Sequence, residues 1–365
     1  MHSVMSITNT QSLFKKIKVL VETSRTQVVQ SINTTLVETY YHIGKLIIEY
    51  EQQGKSRARY ADKTLQSLSH KLSNSLGRGF SVDNLENMRK FYLLYLKSET
   101  VSRKLLSNTS IFQKSEAASR KFTKLVFKLS WSHYVFLMRI ENELERKFYE
   151  IESINEGWSL RELKRQYDSA LYERLVSSRN KKKIKELSTK GQVIRSATDA
   201  IKDPYILEFL SLEEHELYSE NEFETAIISK LEDFLKELGK GFLFVGRQYR
   251  ITFEEDHYYI DLVFYHRILR CFILIDLKIG ELKHADIGQM QMYVNYFDDE
   301  IKEIAENKTI GIILCKNKKE SIVKYTLPKR NSQIFTSKYK IYLPDKKELQ
   351  QLMEAEIVYK KAVDE

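Results

Sequence analysis

Residues 271–278 are the most constraining stretch of the chain, the apolar run Cys-Phe-Ile-Leu-Ile-Asp-Leu-Lys. Side chains alternate between the two faces of a strand, so Asp276 and Lys278 would share one face while the opposite face is entirely apolar. A strand this apolar on both faces is typical of the centre of a sheet that is covered on both sides. The sequence therefore predicts a layered α/β domain with two opposite charges at the end of its central strand.

The residues around this run predict a restriction-endonuclease-like element order, α-β-β-β-α-β. Short polar turns separate three β-rich runs, which is typical of an antiparallel meander, and two glycines follow the first helix, where helices commonly end. The predicted elements are a helix over Glu220–Leu238, strands over Phe242–Phe253, Tyr258–His266 and Cys271–Lys278, a helix over Ala285–Phe297 and a strand over Thr309–Cys315.

The first 200 residues have a different character, since they contain no proline and their apolar residues recur at helical spacing. One predicted helix carries apolar residues every four positions from Leu163 to Leu175 and begins with a capping box at Ser159. Two further helices are predicted on either side of Gly77–Gly79, and Lys104–Lys121 is predicted to be a polar, loop-like insert. We therefore expect an all-α N-terminal domain over residues 1–203 and an α/β domain over residues 204–365.

The charge is distributed unevenly between these two parts. Residues 1–202 hold 36 lysines and arginines against 20 aspartates and glutamates, a balance of +16, whereas residues 203–365 hold 23 against 30, a balance of −7. A basic part suits a polyanion, and a mildly acidic part suits chemistry that needs carboxylates. The simpler interpretation is a charge bias that only keeps the protein soluble.

Composition excludes several classes of protein. The cysteines are Cys271 and Cys315, too few for a disulfide framework or a cysteine zinc site. No run approaches the ~18 apolar residues of a membrane span, and residues 1–10 lack the apolar core of a signal peptide. The sequence has no Gly-x-x-x-x-Gly-Lys phosphate loop. We expect a cytoplasmic protein that makes no membrane contact and does not use ATP.

The candidate chemistry lies on two neighbouring predicted strands. Asp261 is the only charge in the apolar run 259–265, and an antiparallel turn would bring it close to Asp276. Two adjacent carboxylates repel each other unless one is protonated or a cation lies between them, and an all-oxygen site suits Mg²⁺ or Mn²⁺. Lys278 could orient or deprotonate a metal-bound water for attack on phosphate. The alternative for Asp276 and Lys278 is a structural ion pair at a strand end.

At this point the sequence resembles a known family. The order of elements with Asp261 and Asp276-Leu-Lys278 resembles the PD-(D/E)xK nuclease superfamily, and Gln289-Met-Gln-Met-Tyr293 resembles the Gln-x-x-x-Tyr motif of its RecB-like branch. More specific segments resemble the bacterial YhcG-like family; they are Leu238–Phe242, Val245–Tyr249, Tyr259–Leu262, Gly288–Met290, Ile310–Cys315, Gly77–Phe80, Asn84–Tyr92, Trp131–His133 and Trp158–Leu163. The resemblance covers most of the chain.

The resemblance implies a Mg²⁺-dependent deoxyribonuclease in which Asp261 and Asp276 bind the metal. A glutamate on the first core helix completes such sites; Glu222 and Glu224 are the candidates, and Glu224 is favoured because it shares a face with apolar residues. Ile260 stands where the superfamily name has proline, a position that varies widely. Gln289 and Tyr293 would bind a DNA phosphate or hold Lys278, unless they only pack their helix against the sheet.

Other residues are candidates for contact with DNA. Arg247 and Gln248 could reach DNA from the first strand, or form an ordinary surface hairpin pair. The helices around Gly77–Gly79 resemble a helix-turn-helix, whose second helix would present Arg89 and Lys90 to DNA. Two rival hypotheses remain open: a DNA-binding protein that has lost activity, and an interaction subunit of a DNA-processing or defence system whose N-terminal helices recruit a protein partner.

Overall fold

The computed structural model describes residues 2–53, 58–107, 127–176, 181–213, 218–318, 320–327 and 331–344. Contacts divide the chain into two compact units, Met1–Leu163 and Lys164–Glu365. Residues 164–203, which the sequence assigned to the first domain, therefore group with the sheet-containing unit. The division at 203/204 stays a prediction about where independently folding domains meet.

The N-terminal region is helical, as the sequence predicts. Its helices are α1 (His2–Gln53), α2 (Ala58–Leu76), α3 (Val82–Ser107), α4 (Trp131–Leu137), α5 (Glu143–Asn155), α6 (Leu160–Asp168), α7 (Leu171–Val176), α8 (Lys181–Lys190) and α9 (Ala197–Ala200). In the first unit α1 and α3 approach closely at Gly44, where an added Cβ would lie 2.1 Å from the carbonyl oxygen of Met88. Only glycine permits this approach without moving one of the two backbones.

Two details of the helical prediction are wrong. The helix predicted through Leu175 is broken into α6 and α7, because Ala170 takes a left-handed backbone with φ of 49° and the Ser169 carbonyl accepts a hydrogen bond from Arg174. The predicted polar insert begins too early, since residues 104–107 belong to α3. The rest of that insert lies outside the described residues. Apolar spacing alone does not reveal a one-residue left-handed break.

The C-terminal unit is built on a six-stranded sheet in the order β1-β6-β5-β4-β3-β2. Its strands are β1 (Tyr205–Ile206), β2 (Phe242–Phe253), β3 (Asp256–His266), β4 (Cys271–Glu281), β5 (Ile310–Asn317) and β6 (Ile334–Lys340), and its further helices are α10 (Glu220–Ser229), α11 (Leu231–Leu238), α12 (His284–Tyr296) and α13 (Glu320–Thr326). The meander β2-β3-β4 is antiparallel, while β4, β5, β6 and β1 pair in parallel.

The predicted order α-β-β-β-α-β is confirmed for the segment from α10 to β5. One correction is that the helix predicted over 220–238 breaks at Lys230, whose φ of −120° and ψ of 31° separate α10 from α11. The sequence analysis also missed β1 and β6, which extend the sheet beyond β5. Strand β1 has only two residues, too few for an alternating pattern to be recognised.

Strand β4 is central and covered on both faces. Ile273, Ile275 and Leu277 pack into a core with the helices α10 and α11, whereas Leu274 packs into a second core with α12. Helix α12 lies so close to β5 that a Cβ at Gly311 would come within 2.5 Å of the sulfur of Met290. The rigid, doubly covered strand fixes the position of whatever side chains follow its apolar part.

Among the described helices, none combines the length and apolarity needed to cross a membrane.

Candidate active site

The candidate site begins where β3 and β4 separate. Their ladder ends at the pair Leu262–Ile275, and the next residue on each strand is a carboxylate, Asp261 and Asp276. The backbone N–H of Leu277 donates to Asp261 Oδ2 at 2.8 Å, so a side chain replaces the next backbone bond between the strands. Strand β4 meanwhile continues to pair with β5 through Asp276. The sequence prediction that Asp261 and Asp276 come together holds in this geometry.

Asp276 is the most perturbed acid of this group. It is 3% exposed, and its Oδ2 lies 2.9 Å from Lys278 Nζ without a hydrogen bond of normal geometry. Burial, followed by the charge of Asp261, raises the pKa of Asp276 to about 7, although the ammonium of Lys278 lowers it. One cation thus fails to offset the burial of two neighbouring carboxylates, which favours a further positive charge at this place.

Lys278 is held as a cation between two acids. Its Nζ lies 2.9 Å from Asp276 Oδ2 and donates to Glu220 Oε2 at 3.4 Å. Burial lowers the pKa of Lys278, but the carboxylates of Asp276 and Glu220 outweigh burial and raise it above its ordinary value. Lys278 is therefore protonated at neutral pH, and in this state it can orient an oxygen or neutralise charge but not accept a proton. The sequence analysis missed Glu220, whose only signal was a place in the first turn of the helix.

The two candidate glutamates of α10 have different surroundings. Glu222 caps the helix, since its carboxylate accepts hydrogen bonds from the backbone and hydroxyl of Ser219. Glu224 is buried, and its Oε2 accepts a short hydrogen bond from Gln248 Nε2, which also donates to Asp261 Oδ1 at 3.1 Å. Burial is the largest influence on Glu224 and raises its pKa. The structure therefore places Glu224, rather than Glu222, beside Asp261.

Gln289 and Tyr293 support β3 from the side of α12. Gln289 Nε2 donates to the hydroxyl of Tyr293 at 2.5 Å, and that hydroxyl donates to the carbonyl of Tyr259 at 3.0 Å. Tyr293 is fully buried, and burial raises its pKa. Tyr259 lies two residues before Asp261 on the same strand, so this pair holds the backbone that carries the carboxylate. Its position suits support of the strand better than direct contact with DNA.

Comparison with known proteins places the chain in a family. Residues 198–354 match the family described as "YhcG PDDEXK nuclease domain", and residues 16–174 match the "DUF1016 N-terminal domain". The Escherichia coli (strain K12) protein "Putative nuclease YhcG" is 38% identical over 345 residues, which are 90% of this chain and 90% of that protein. This chain belongs to the YhcG family. The resemblance inferred from the sequence motifs is confirmed.

A solved structure is also similar to part of this YhcG-family chain. It is the crystal structure of a repair endonuclease from Pyrococcus abyssi, with 16% identity and a TM-score of 0.23. The match spans 34% of this chain and 49% of that one. The description of the C-terminal region as a nuclease domain comes from the family match over residues 198–354.

The candidate DNA contacts of this YhcG-family chain occupy different environments. Arg247 is exposed on β2 and lies close enough to Glu224 to lower the pKa of that acid. Arg89 on α3 is engaged in an ion pair at 3.0 Å with Glu51 of α1, whereas Lys90 is exposed. Their contact with DNA stays a prediction, and the ion pair makes Lys90 a better candidate than Arg89 for a phosphate contact.

The side chains at the candidate site of this YhcG-family chain are chemically suited to bind a hard divalent cation. Asp261, Asp276 and Glu224 offer carboxylate oxygens, the ligands that Mg²⁺ and Mn²⁺ prefer. In the part of the chain that the structure describes, however, no three His, Cys, Asp or Glu side chains are grouped as a complete metal site. Gln248 donates hydrogen bonds to oxygens of Glu224 and Asp261, and Lys278 is the ion-pair partner of Asp276.

Proposed function

We propose that this protein is a metal-dependent DNA nuclease that hydrolyses phosphodiester bonds at Asp261, Asp276 and Lys278. The observation that carries the proposal is the charge imbalance where β3 and β4 separate. Asp276 is 3% exposed, its pKa is raised to about 7 by burial and by Asp261, and Lys278 is its ion-pair partner. A site that needs one more positive charge, in a PDDEXK nuclease family, suits a divalent metal and a phosphate substrate.

Each residue of the site would have its own role in phosphodiester hydrolysis. Asp261, Asp276 and Glu224 hold the cation, which when bound supplies positive charge to the phosphate and lowers the pKa of water. The ammonium of Lys278, fixed by Asp276 and Glu220, orients the attacking water and stabilises negative charge on the phosphate. Tyr293 and Gln289 keep β3 at the position from which Asp261 acts.

DNA is the proposed substrate because of the charge distribution as well as the family. The balance of +16 in residues 1–202 provides attraction for a polyanion, and contacts with phosphate make such binding strongly dependent on salt. The exposed Arg247 lies beside Glu224 and is positioned to approach a phosphate backbone near the carboxylates. Direct contact of Gln248 with phosphate is less favoured, since both hydrogens of its amide nitrogen are used by Glu224 and Asp261.

A cleavage assay tests the proposal. Full-length protein is incubated with plasmid, linear and branched DNA, with Mg²⁺, with Mn²⁺ and with EDTA. We expect cleavage with the metals and none with EDTA or in Asp276→Asn. A matched control is Glu232→Gln, which removes an exposed acid of α11 from the same unit and should leave cleavage unchanged. Cleavage that persists in EDTA, or in folded Asp276→Asn protein, would overturn the assignment.

A protein-interaction role for α1 is the second candidate. Ten large apolar side chains between residues 13 and 36 of this helix are 39–67% exposed, among them Leu20 at 67% and Ile32 at 61%. An apolar surface of this extent is typical of a surface that another protein covers. Light scattering on the full chain and on the double variant Leu20→Asp, Ile32→Asp tests for self-association. A wild-type assembly that dissociates in the variant would support this role. A monomeric wild-type protein would exclude self-association through α1.

A further inference from the structure

Gln248 lies opposite Asp261 on the neighbouring strand β2. The register pairs Arg247 with Leu262 and Tyr249 with Ile260, which leaves Gln248 and Asp261 facing each other. The backbone of Gln248 is left-handed, with φ of 47°, and the ladder has a register shift a few residues earlier. A non-glycine residue in this conformation is strained and persists where its surroundings hold it. The strand is thus bent so that one side chain points at the carboxylates.

The amide of Gln248 lies between two of the proposed ligands. Its Nε2 donates to Glu224 Oε2 in a short hydrogen bond and to Asp261 Oδ1 at 3.1 Å. Two carboxylates that face each other need a cation or a donor between them, because otherwise their charges repel. The amide nitrogen therefore occupies a place that a cation bridging the same two oxygens would take.

We propose that Gln248 is a metal-positioning residue. Without metal its amide nitrogen holds the carboxylates of Glu224 and Asp261 close together, and when metal binds its amide oxygen turns towards the cation. The inference rests on the proposed nuclease function. Rotation of the terminal amide by half a turn exchanges its nitrogen and oxygen with little change in shape, and the oxygen has two lone pairs. An amide oxygen is an ordinary ligand of hard divalent cations. One side chain thus serves both states of the site.

The role proposed for Gln248 can be distinguished from that of nearby or similar side chains. Arg247, the preceding residue on β2, carries a fixed charge and cannot offer an oxygen to a cation. Gln291 on α12 is a matched glutamine, since its amide also donates to a side chain, that of Asn295 at 2.9 Å. A substitution of Gln291 removes the same chemical groups from a place with no carboxylate bonded to them, and it serves as the control.

Binding of Mn²⁺ to the full-length protein, measured by calorimetry without DNA, tests the inference. Gln248→Met keeps the shape but removes the amide, and we expect it to weaken Mn²⁺ binding about 10-fold or more, the usual effect of removing a group that orients metal ligands. Gln248→Glu keeps an oxygen and adds charge, so it should bind Mn²⁺ more tightly than the wild type. Gln291→Met should bind Mn²⁺ like the wild type.

A second measurement covers the case in which Gln248→Met does not fold. In EDTA, Gln248→Glu places a third carboxylate beside Glu224 and Asp261, which should lower its melting temperature. Mn²⁺ should then raise that temperature more in Gln248→Glu than in the wild type. Unchanged or tighter Mn²⁺ binding by Gln248→Met, or an equal Mn²⁺ shift in Gln248→Glu and wild type, would overturn the inference.

Failure of the proposed nuclease function would give a different pattern of Mn²⁺ binding from failure of the Gln248 role alone. If wild-type protein binds no Mn²⁺, or if Asp276→Asn binds it equally well, the metal site itself is wrong and the role of Gln248 falls with it. If the wild type binds Mn²⁺ and Asp276→Asn does not, while Gln248→Met is unaffected, only the role of Gln248 is rejected.

Discussion

Two of the buried carboxylates that the structure describes in the C-terminal unit, Glu237 and Asp276, have opposite charge balance. Glu237 on α11 is 0% exposed, and its carboxylate binds Arg174 at 2.7 Å and Arg165 at 3.3 Å. Burial alone would raise the pKa of Glu237, but Arg174, Lys202 and Arg165 together lower it to about 2. At the candidate active site, by contrast, Lys278 is outweighed and the pKa of Asp276 rises to about 7.

Glu237 has the surroundings of a structural acid, whereas Asp276 has those expected of the proposed functional site. Around Glu237 the cations satisfy the acid, so its ionised form belongs to the folded state and contributes to stability. Around Asp276 the charges are incompletely compensated, which costs stability. Active sites commonly carry such imbalances, and stability and function then make opposite demands on the same residues.

The largest expected effect comes from removing the charge of Asp276. Asp276→Asn should lower cleavage about 1,000-fold or more, roughly 4 kcal/mol of lost transition-state stabilisation. Because the substitution relieves repulsion with Asp261, the melting temperature in EDTA should stay the same or rise. Lys278→Ala should also abolish cleavage, yet still bind Mn²⁺ because the carboxylates remain. A large fall in the melting temperature of Asp276→Asn would contradict the comparison, since Asp276 would then be a structural acid.

Glu237→Gln should have the opposite profile. The change leaves the buried Arg174 without its counter-charge, so the free energy of unfolding should fall by about 3–5 kcal/mol while the folded fraction keeps its activity. The exposed Glu232→Gln control should change it by no more than ~0.5 kcal/mol. Denaturant unfolding measures both.

The pH dependence of this effect has a definite sign. Because the folded-state pKa of Glu237 is lowered from 4.5 to about 2, its contribution is fully present above pH 4.5 and is lost as the pH falls towards 2. The stability difference between wild type and Glu237→Gln should therefore shrink over that window. A difference that stays constant would mean that the charge of Glu237 is not what stabilises the fold.

Gln289→Ala tests whether α12 belongs to the functional cluster. Tyr293 would keep its hydrogen bond to the Tyr259 carbonyl but lose the amide that orients its hydroxyl, so we expect cleavage to fall about 10-fold with little change in melting temperature. Gln291→Ala on the same helix is the control and should leave both unchanged. A marked loss of stability without loss of activity per folded molecule would make Gln289 a packing residue.

The smallest expected effect concerns the basic helical region. In an Asp276→Asn background without metal, Lys90→Ala should make the slope of log affinity for duplex DNA against log salt shallower by ~1, as for one lost phosphate contact. Arg89→Ala should change the slope less, because Arg89 is paired with Glu51. Lys236→Ala, in the acidic part of the chain over residues 203–365, is the control. Equal slopes for Lys90→Ala and the control would exclude a phosphate contact at Lys90 and favour a docking role for this region.

The sequence predicted much of the site and less of its surroundings. The alternation in residues 271–278 identified β4, and the short turn before it placed Asp261 beside Asp276. The resemblance implied a glutamate on the first core helix, and a helical face shared with apolar residues favoured Glu224 over Glu222, which agrees with their positions in the structure. Gln248 was assigned to DNA or to a surface pair, because an exposed position on a strand carries no signal of what its side chain meets across the sheet.

What the sequence alone determined is therefore local: the alternation and turns that fix which strands are neighbours and which charges share a face. What the tertiary structure decided is the partners of those charges. Glu237 meets Arg174 and Arg165, which lie 63 and 72 residues away along the chain, and Gln248 meets Glu224 through a left-handed residue in β2. Such partners depend on how distant helices pack on the sheet, which no local pattern encodes. They decide whether the charge of a buried carboxylate is compensated, as at Glu237, or left incompletely compensated, as at Asp276.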